Sequence, residues 1–439
     1  MAVMMKPFKC PGTCIYCPLE VGMPKSYLSD EPAAQRAKSL EFDPYEQVKM
    51  RLTQLSINGH AIDKIELIVV GGTFSAYEDD YKREFIKRCY DACNGITSDS
   101  VAQALKMNET AKSRVVGLSV ETRPDWITEK EVVLIRELGV TKIQLGVQSL
   151  DEEVNKVTKR GHGVSDVVKA TTMLRNAGLK ICYHMMPGLP GSNPTKDVES
   201  MRSVFANQGL RPDYLKIYPC MVVPHTQLKA MFERGEYEPY SDETLKSVLK
   251  EVSLLVPEYC RVDRLVRDIT KKWVVAGSIV SNMRQIVEAE LIKEGNPCRC
   301  LRCREIRGGS VVEEPKYVEQ MYSTEAGEEI FMTLESVDKV CAILRLRLPE
   351  GANGQLFEEL AGAAIIREVH TFGQVEEIGK SGEKSQHRGW GKRLILRSEE
   401  LAREKGFKRL AVIAAVGTKE YYRKLGFLDQ GLYLTKDLS

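Results

Sequence analysis

Cys10-Pro11-Gly12-Thr13-Cys14-Ile15-Tyr16-Cys17 places three thiol side chains in one loop near the start of a 439-residue chain. Iron–sulfur cubanes hold four irons and are ordinarily bound by four cysteines. The spacing Cys-x3-Cys-x2-Cys supplies three, which leaves one iron open to chelate a small molecule. Zinc sites usually add a second cysteine pair or histidines, and none follows nearby, so zinc or a chance grouping is the weaker alternative. Further on, Gly71-Gly72-Thr73-Phe74 follows an apolar run, and glycines at such a place let backbone approach a ligand closely.

The length suggests two or three domains. Hydrophobic content is 43%, with no run of 18 apolar residues and no export-type leader, so a membrane span is not expected and a reducing cytoplasm is. The 63 basic and 61 acidic residues nearly balance, so any RNA site must be a local patch. Six of the twelve cysteines fall in two clusters, Cys10/Cys14/Cys17 and Cys298/Cys300/Cys303. In a chain without export signals, such clusters read as metal sites rather than disulfides.

Strands are expected at Val3–Met5, Ile65–Val70, Val115–Val120, Ile143–Val147, Ile181–Met186 and Tyr214–Tyr218, with amphipathic stretches such as Tyr45–Leu55 between them. That alternation predicts an α/β protein whose first part is a parallel, partial (β/α)6 barrel. Distinctive residues follow each strand: the cysteine loop, Gly71–Phe74, Glu121–Pro124, Gln148-Ser149, Pro187–Gly191 and Pro219-Cys220. Parallel barrels carry active sites at the C-terminal ends of their strands, so these loops should share one mouth. Residues 219–306 read as helical, and Arg307–Gly309 with Glu313–Pro315 as a linker. The expected domains are 1–218, 219–315 and 316–439.

A second motif lies near the end. Gln386-His387-Arg388-Gly389-Trp390-Gly391 opens an amphipathic helix, after strands at Ile330–Leu334, Val340–Leu346 and Ala363–Val369 and before a strand at Leu410–Ala414. Unpaired N–H groups and the positive dipole end of such a helix suit a pyrophosphate. The motif resembles the CoA-binding loop of GCN5-related acetyltransferases, and Tyr421-Tyr422 before Leu425-Gly426-Phe427 is similar to that family's last helix. A tyrosine there can protonate a departing thiolate. Adjacent helical residues point about 100° apart, so only one of the two should reach CoA.

The cysteine loop, with an aromatic before its last cysteine, matches the signature of radical S-adenosylmethionine (SAM) enzymes. Together the two motifs resemble the Elongator catalytic subunit (elongator protein three) family, bacterial or archaeal type. The likeness also runs through Asp43–Gln47, Ile62–Lys64, Glu121–Asp125, Gly146–Leu150, Arg160–His162, His184–Pro187, Leu215–Pro219 and Arg367–His370. It implies a radical SAM barrel, a helical metal-binding linker and a C-terminal GCN5-related acetyltransferase α/β domain. The implied activity is modification of the tRNA wobble uridine, with acetyl-CoA as co-substrate and a 4Fe-4S cluster and SAM supplying a radical, to leave a carboxymethyl group at carbon 5. Cys10, Cys14 and Cys17 would hold the cluster, and Gly71 and Gly72 would face SAM. Lys64, Glu368, Val369, His370, Gln386, His387, Gly389, Gly391 and Tyr422 would contact acetyl-CoA, with Tyr421 and Tyr422 the candidate acids. The partner implied is a tRNA anticodon loop; monomer and homodimer both stay open. Many relatives have a longer gap between the first two cysteines, and a basic N-terminal extension that helps hold tRNA, where only nine residues precede Cys10 here.

For Cys298, Cys300 and Cys303 a structural zinc is expected, with Cys220, Cys260 or His225 as the fourth ligand and free thiols as the alternative. Arg261, Arg264 and Arg267 would share one face of a helix, as a phosphate track. A protein lysine acetyltransferase using the barrel as a SAM-binding scaffold is the competing function.

Overall fold

The computed structural model describes residues 1–267, 269–307, 311–351, 356–373 and 389–438. Two seven-stranded sheets organise the chain. The first runs β1 (Ala2–Met4), β2 (Lys64–Val70), β3 (Arg114–Thr122), β4 (Lys142–Gln148), β5 (Lys180–Met185), β6 (Tyr214–Ile217) and β7 (Arg261–Arg264) in sequential order. All its pairings are parallel, the form of an open half-barrel. Along β2, Ile65, Leu67 and Val69 are buried while Lys64, Glu66 and Ile68 are more open. This period of two puts the apolar side against the helices and the polar side into the barrel. Helices between the strands start where the sequence offers caps: Asp43, Thr128, Asn193 and Ser241 each accept a hydrogen bond from a first-turn N–H.

Residues 219–306, read as helical, contribute β7 to the barrel sheet as well as the helices Gln227–Glu233, Asp242–Leu255 and Met283–Lys293. The helical arginine stripe is therefore corrected: Arg261 and Arg264 are strand residues and Arg267 follows in a loop. Arg261 pairs with Asp263 and Glu305, and Arg267 with Glu31. These ion pairs make the charges structural.

The second sheet is ordered β13-β14-β12-β11-β10-β9-β8, from β8 (Lys316–Thr324), β9 (Gly327–Ser336), β10 (Lys339–Pro349), β11 (Ala363–Thr371), β12 (Arg409–Val412), β13 (Leu428–Gln430) and β14 (Tyr433–Asp437). Sequence reading misses β8 and β13. β11 and β12 pair in parallel from Ala363↔Arg409 to Ile366↔Val412, after which β11 continues along β10 to Thr371. A wedge thus opens between them, and the helix Trp390–Glu404 begins after Gly389, whose φ of 73° suits glycine.

The two sheets meet through buried charge. Asp213, just before β6, accepts from Arg367 of β11 at 2.6 and 3.0 Å, and Arg367 also reaches Glu329 of β9 at 2.9 Å. Arg345 of β10 donates to Glu368 at 2.9 Å and to the Tyr259 carbonyl at 2.8 Å.

Candidate active site

The barrel mouth is built from strand ends. Cys14 and Tyr16 are buried in a small apolar cluster with Leu189, Cys220 and Leu228, which seats the cysteine loop over the end of β5 and the chain after β6. Cys10 shares a pocket with Lys25, Gly71, Gly72 and Thr73, so the first cysteine and the glycine pair expected to face SAM come together. Gly71 and Gly72 have φ of 134° and 98°, and a Cβ on Gly71 would lie 3.2 Å from the Met5 side chain. Larger residues there would be strained and would fill the approach.

Arg160, 146 residues along the chain from Cys14, donates to the Cys14 sulfur at 3.4 Å. Hydrogen bonding from Cys17, then the Arg160 charge, draws the Cys14 thiol down to about 4 against the opposing effect of burial. Thiolates are the metal-binding form of cysteine. Arg123 pairs with both oxygens of Asp125 at 2.9 and 2.8 Å while its Nη1 stays buried without a hydrogen-bond partner. That nitrogen lies so close to Gly12 that a side chain at position 12 would collide with it. Gln148 Oε1 is likewise buried without a partner. Orphaned donors and acceptors beside glycine backbone suit a polar ligand with carboxylate and hydroxyl groups. The residues present therefore fit a three-cysteine cluster with a chelating SAM. Arg123 and Gln148 lie in the strand-end segments expected at the barrel mouth, whereas only the resemblance points to the segment of Arg160.

A polar layer lies deeper in the barrel. Gln144 accepts from Lys216 and contacts His184 Nε2 at 3.1 Å, while its amide donates to Ser119 at 3.0 Å. Burial, reinforced by the Lys216 charge, keeps His184 well below the usual histidine range and neutral. His184 thus faces the barrel interior.

Beneath this layer a cavity of about 510 Å³ opens between the two sheets. The barrel lines it with Glu66, Ser119, Lys142, Lys180, Tyr214 and Asp263, and β11 with Glu368, Val369 and His370. Tyr214 donates to Glu368. Burial would raise the Glu368 carboxyl, but Lys180 and Arg345 hold it at about 2. Lys64 opens β2 and is half-buried; the strand turns Glu66, two residues on, to the cavity.

Gly391 lies at the start of the helix Trp390–Glu404, where a Cβ would come 3.1 Å from the Tyr421 hydroxyl and 3.6 Å from Val369. Tyr421 is 41% exposed. Tyr422 is buried against Phe427, ring centroids 5.8 Å apart, near enough to Glu368 to feel its charge. Gln386 and His387 lie outside the described residues.

The sulfurs of Cys298, Cys300 and Cys303 all lie within 4.8 Å of one another, and those of Cys300 and Cys303 are 3.6 Å apart. Four sulfurs around one zinc at 2.3 Å would be about 3.8 Å apart, so this set fits a single tetrahedral ion. The Glu288 carboxylate is 3.6 Å from Cys303. Cys220 and His225 are not beside this set: Cys220 packs with Cys14, and the His225 carbonyl accepts from Leu19 in the loop after Cys17. Cys260 is near, its carbonyl accepting from Leu301 at 3.0 Å. Cys89 and Cys93 are packed, buried thiols.

Comparison with known proteins agrees with the geometry. A profile of the radical SAM superfamily matches residues 7–204, and one of the radical SAM C-terminal domain matches 212–293. The class is therefore that of radical SAM proteins. The chain is 43% identical to a tRNA uridine(34) acetyltransferase of Dehalococcoides mccartyi, over 100% of this chain and 97% of that one. It is 36% identical to human Elongator complex protein 3, over 100% of this chain and 84% of that one. A solved structure of the archaeal Methanocaldococcus infernus Elp3, lacking its residues 1–46, superposes with a TM-score of 0.86 at 40% identity, covering 91% of this chain and 96% of that one. The chain belongs to the family of tRNA uridine(34) acetyltransferases and Elongator complex protein 3. Among its described residues no helix is long and apolar enough to cross a membrane.

Proposed function

We propose that this protein modifies uridine 34 of tRNA, taking the carbon unit from acetyl-CoA and installing a carboxymethyl group at carbon 5. The observation that carries this is the shared cavity, lined by barrel strands on one side and by Glu368, Val369 and His370 on the other. Such an arrangement lets the two halves act on a common molecule.

Cys10, Cys14 and Cys17 would hold a 4Fe-4S cluster. With SAM bound, the cluster supplies a carbon radical able to take hydrogen from an unactivated C–H bond. Arg160 stabilises the Cys14 thiolate, while Gly71, Gly72, Arg123 and Gln148 offer backbone and side-chain partners to SAM. At the wedge, the backbone of Glu368, Val369 and His370 would receive the amide-rich arm of CoA. Gly389 and Gly391, with Gln386 and His387, would cradle its pyrophosphate at a helix start. Lys64 would add a cation from the barrel side. Tyr421, beside Gly391, is the better placed acid for a departing thiolate, and Tyr422 would support it from the core. Cys298, Cys300 and Cys303 would hold a structural zinc, with Glu288 as the fourth donor. An anticodon loop must splay its base to reach the barrel mouth, and such a substrate places the protein in the cytoplasm. A protein lysine acetyltransferase would leave the charged cysteine loop idle, and no observation favours it.

The test is anaerobic reconstitution with tRNA, acetyl-CoA and SAM, followed by nucleoside mass spectrometry. Carboxymethylated uridine 34 is expected from the wild type and none from Cys14→Ala. Unmodified uridine with the wild type, or full modification with Cys14→Ala, would sink the proposal.

A further inference from the structure

Arg160 is 5% exposed, so its charge is held away from water. Among the described residues its side chain donates only to the Cys14 sulfur, at 3.4 Å, and to the Gly146 carbonyl of β4. Its Nε is buried without a partner. Neither partner is a carboxylate. A buried cation is costly unless an anion accompanies it, and the carbonyl of Gly146 would be served as well by a neutral donor. The charge of Arg160 is accounted for on the sulfur side.

We propose that Arg160 sets the reduction potential of the cluster held by Cys10, Cys14 and Cys17, raising it so that a low-potential one-electron donor can reduce it. This rests on the reading that the three cysteines hold a 4Fe-4S cluster. Potentials of such clusters follow net charge, hydrogen bonds to the sulfurs and solvent exposure. Three thiolates leave the cluster net anionic, and reduction adds one more negative charge. A fixed guanidinium in a buried place therefore favours the reduced form over the oxidised. The N–H aimed at the Cys14 sulfur acts in the same direction, by drawing electron density from the thiolate. In this step one electron passes from donor to cluster, no bond forms or breaks, and Arg160 keeps its protons, because a guanidinium does not deprotonate in proteins.

The chain around Arg160 fixes that geometry. Arg160 follows the helix Glu152–Val157, and its backbone N–H donates to the Asn155 carbonyl at 2.8 Å. Two residues earlier, the Thr158 carbonyl accepts from the Ile15 N–H at 3.2 Å, inside the cysteine loop itself. The segment that carries the guanidinium is thus tied to the loop that carries Cys14. A Cβ on Gly146 would lie 3.0 Å from Arg160 Nη2, so glycine at this point of β4 leaves the room the guanidinium occupies.

The experiment reconstitutes the full chain anaerobically and titrates it with dithionite in the absence of SAM, following the reduced cluster by electron paramagnetic resonance. Iron content and SAM binding, the latter by calorimetry, are measured in parallel. Arg160→Gln removes the charge and should lower the ratio of reduced to oxidised cluster at a given potential roughly tenfold, a downward shift of about 59 mV for a one-electron couple. Arg160→Lys keeps a charge but loses the guanidinium fork. It should shift the same way by less, and it carries the test if Arg160→Gln does not retain iron. An unchanged potential in a variant that keeps its cluster would overturn the assignment. So would lost SAM affinity at an unchanged potential, which would make Arg160 a SAM ligand, or loss of iron from both variants, which would make it a support of the cysteine loop. A wild type that takes up no cluster would instead remove the reading on which the assignment rests, whereas one that takes up a cluster but leaves uridine 34 unmodified would fail the proposed reaction alone.

Discussion

Arg367 and Asp213 form a fully buried ion pair that joins the two sheets, with both guanidinium Nη atoms on the carboxylate at 2.6 and 3.0 Å. Arg367 immediately precedes Glu368, so the same strand that faces the cavity is clamped to the entrance of β6. Removing one partner of such a pair strands a buried charge and costs about 3–5 kcal/mol. Asp213→Asn should therefore lower stability to denaturant by about that amount. A loss within the scatter of surface substitutions would show that the pair is not the clamp.

The same clamp makes stability depend on acid. Burial would raise the Asp213 carboxyl, but Arg367 and Arg345 overcome it and hold the group well below the ordinary range; Glu368 is held at about 2. Carboxyls depressed on folding contribute stability that is complete above their unfolded values, about 3.9 for Asp and 4.3 for Glu, and lost as pH falls below them. Thermal midpoints should drop steeply from about pH 4.5 downward. In Asp213→Asn that dependence should be shallower, and an unchanged slope would count against the assignment.

If the second cysteine cluster holds the proposed zinc, Cys300→Ala should release it. The helix Leu301–Arg304 and β9 are tied there through Arg304, which pairs with Glu258 at 2.8 Å and with Glu335 of β9. Elemental analysis should find less zinc than in the wild type, and a strong chelator should lower the melting temperature of the wild type but not of the variant. Equal zinc in both proteins would leave these thiols without a metal role.

The sequence makes much of this architecture legible, and the exceptions have physical causes. β2 to β6 carry short apolar runs because one side of each packs against the core. β7 reads Arg261-Val262-Asp263-Arg264, and its charges are neutralised by partners distant in sequence, so it carries no apolar alternation. β8 is an edge strand with most of its residues exposed, and nothing forces a hydrophobic pattern on it. Among site residues the cysteines announce themselves through spacing. Arg160 does not, because its contact with Cys14 depends on the barrel closing. The hydrogen bond from Tyr214 to Glu368 is less visible still, since it exists only once the two sheets meet.

The adjacent tyrosines separate the roles of surface and core. Tyr422 is 6% exposed and packs on Phe427, whereas Tyr421 is 41% exposed with its hydroxyl beside Gly391. Truncating a buried aromatic leaves a cavity and costs about 3–5 kcal/mol, so Tyr422→Ala should be strongly destabilised. Tyr421→Ala should melt near the wild-type temperature, because it vacates a surface position. Its effect should fall instead on acetyl-CoA turnover, as thiol release loses the hydroxyl nearest the expected CoA helix. If Tyr421→Ala lowered stability as much as Tyr422→Ala, or left turnover untouched while Tyr422→Phe abolished it in a folded protein, the acid would be Tyr422.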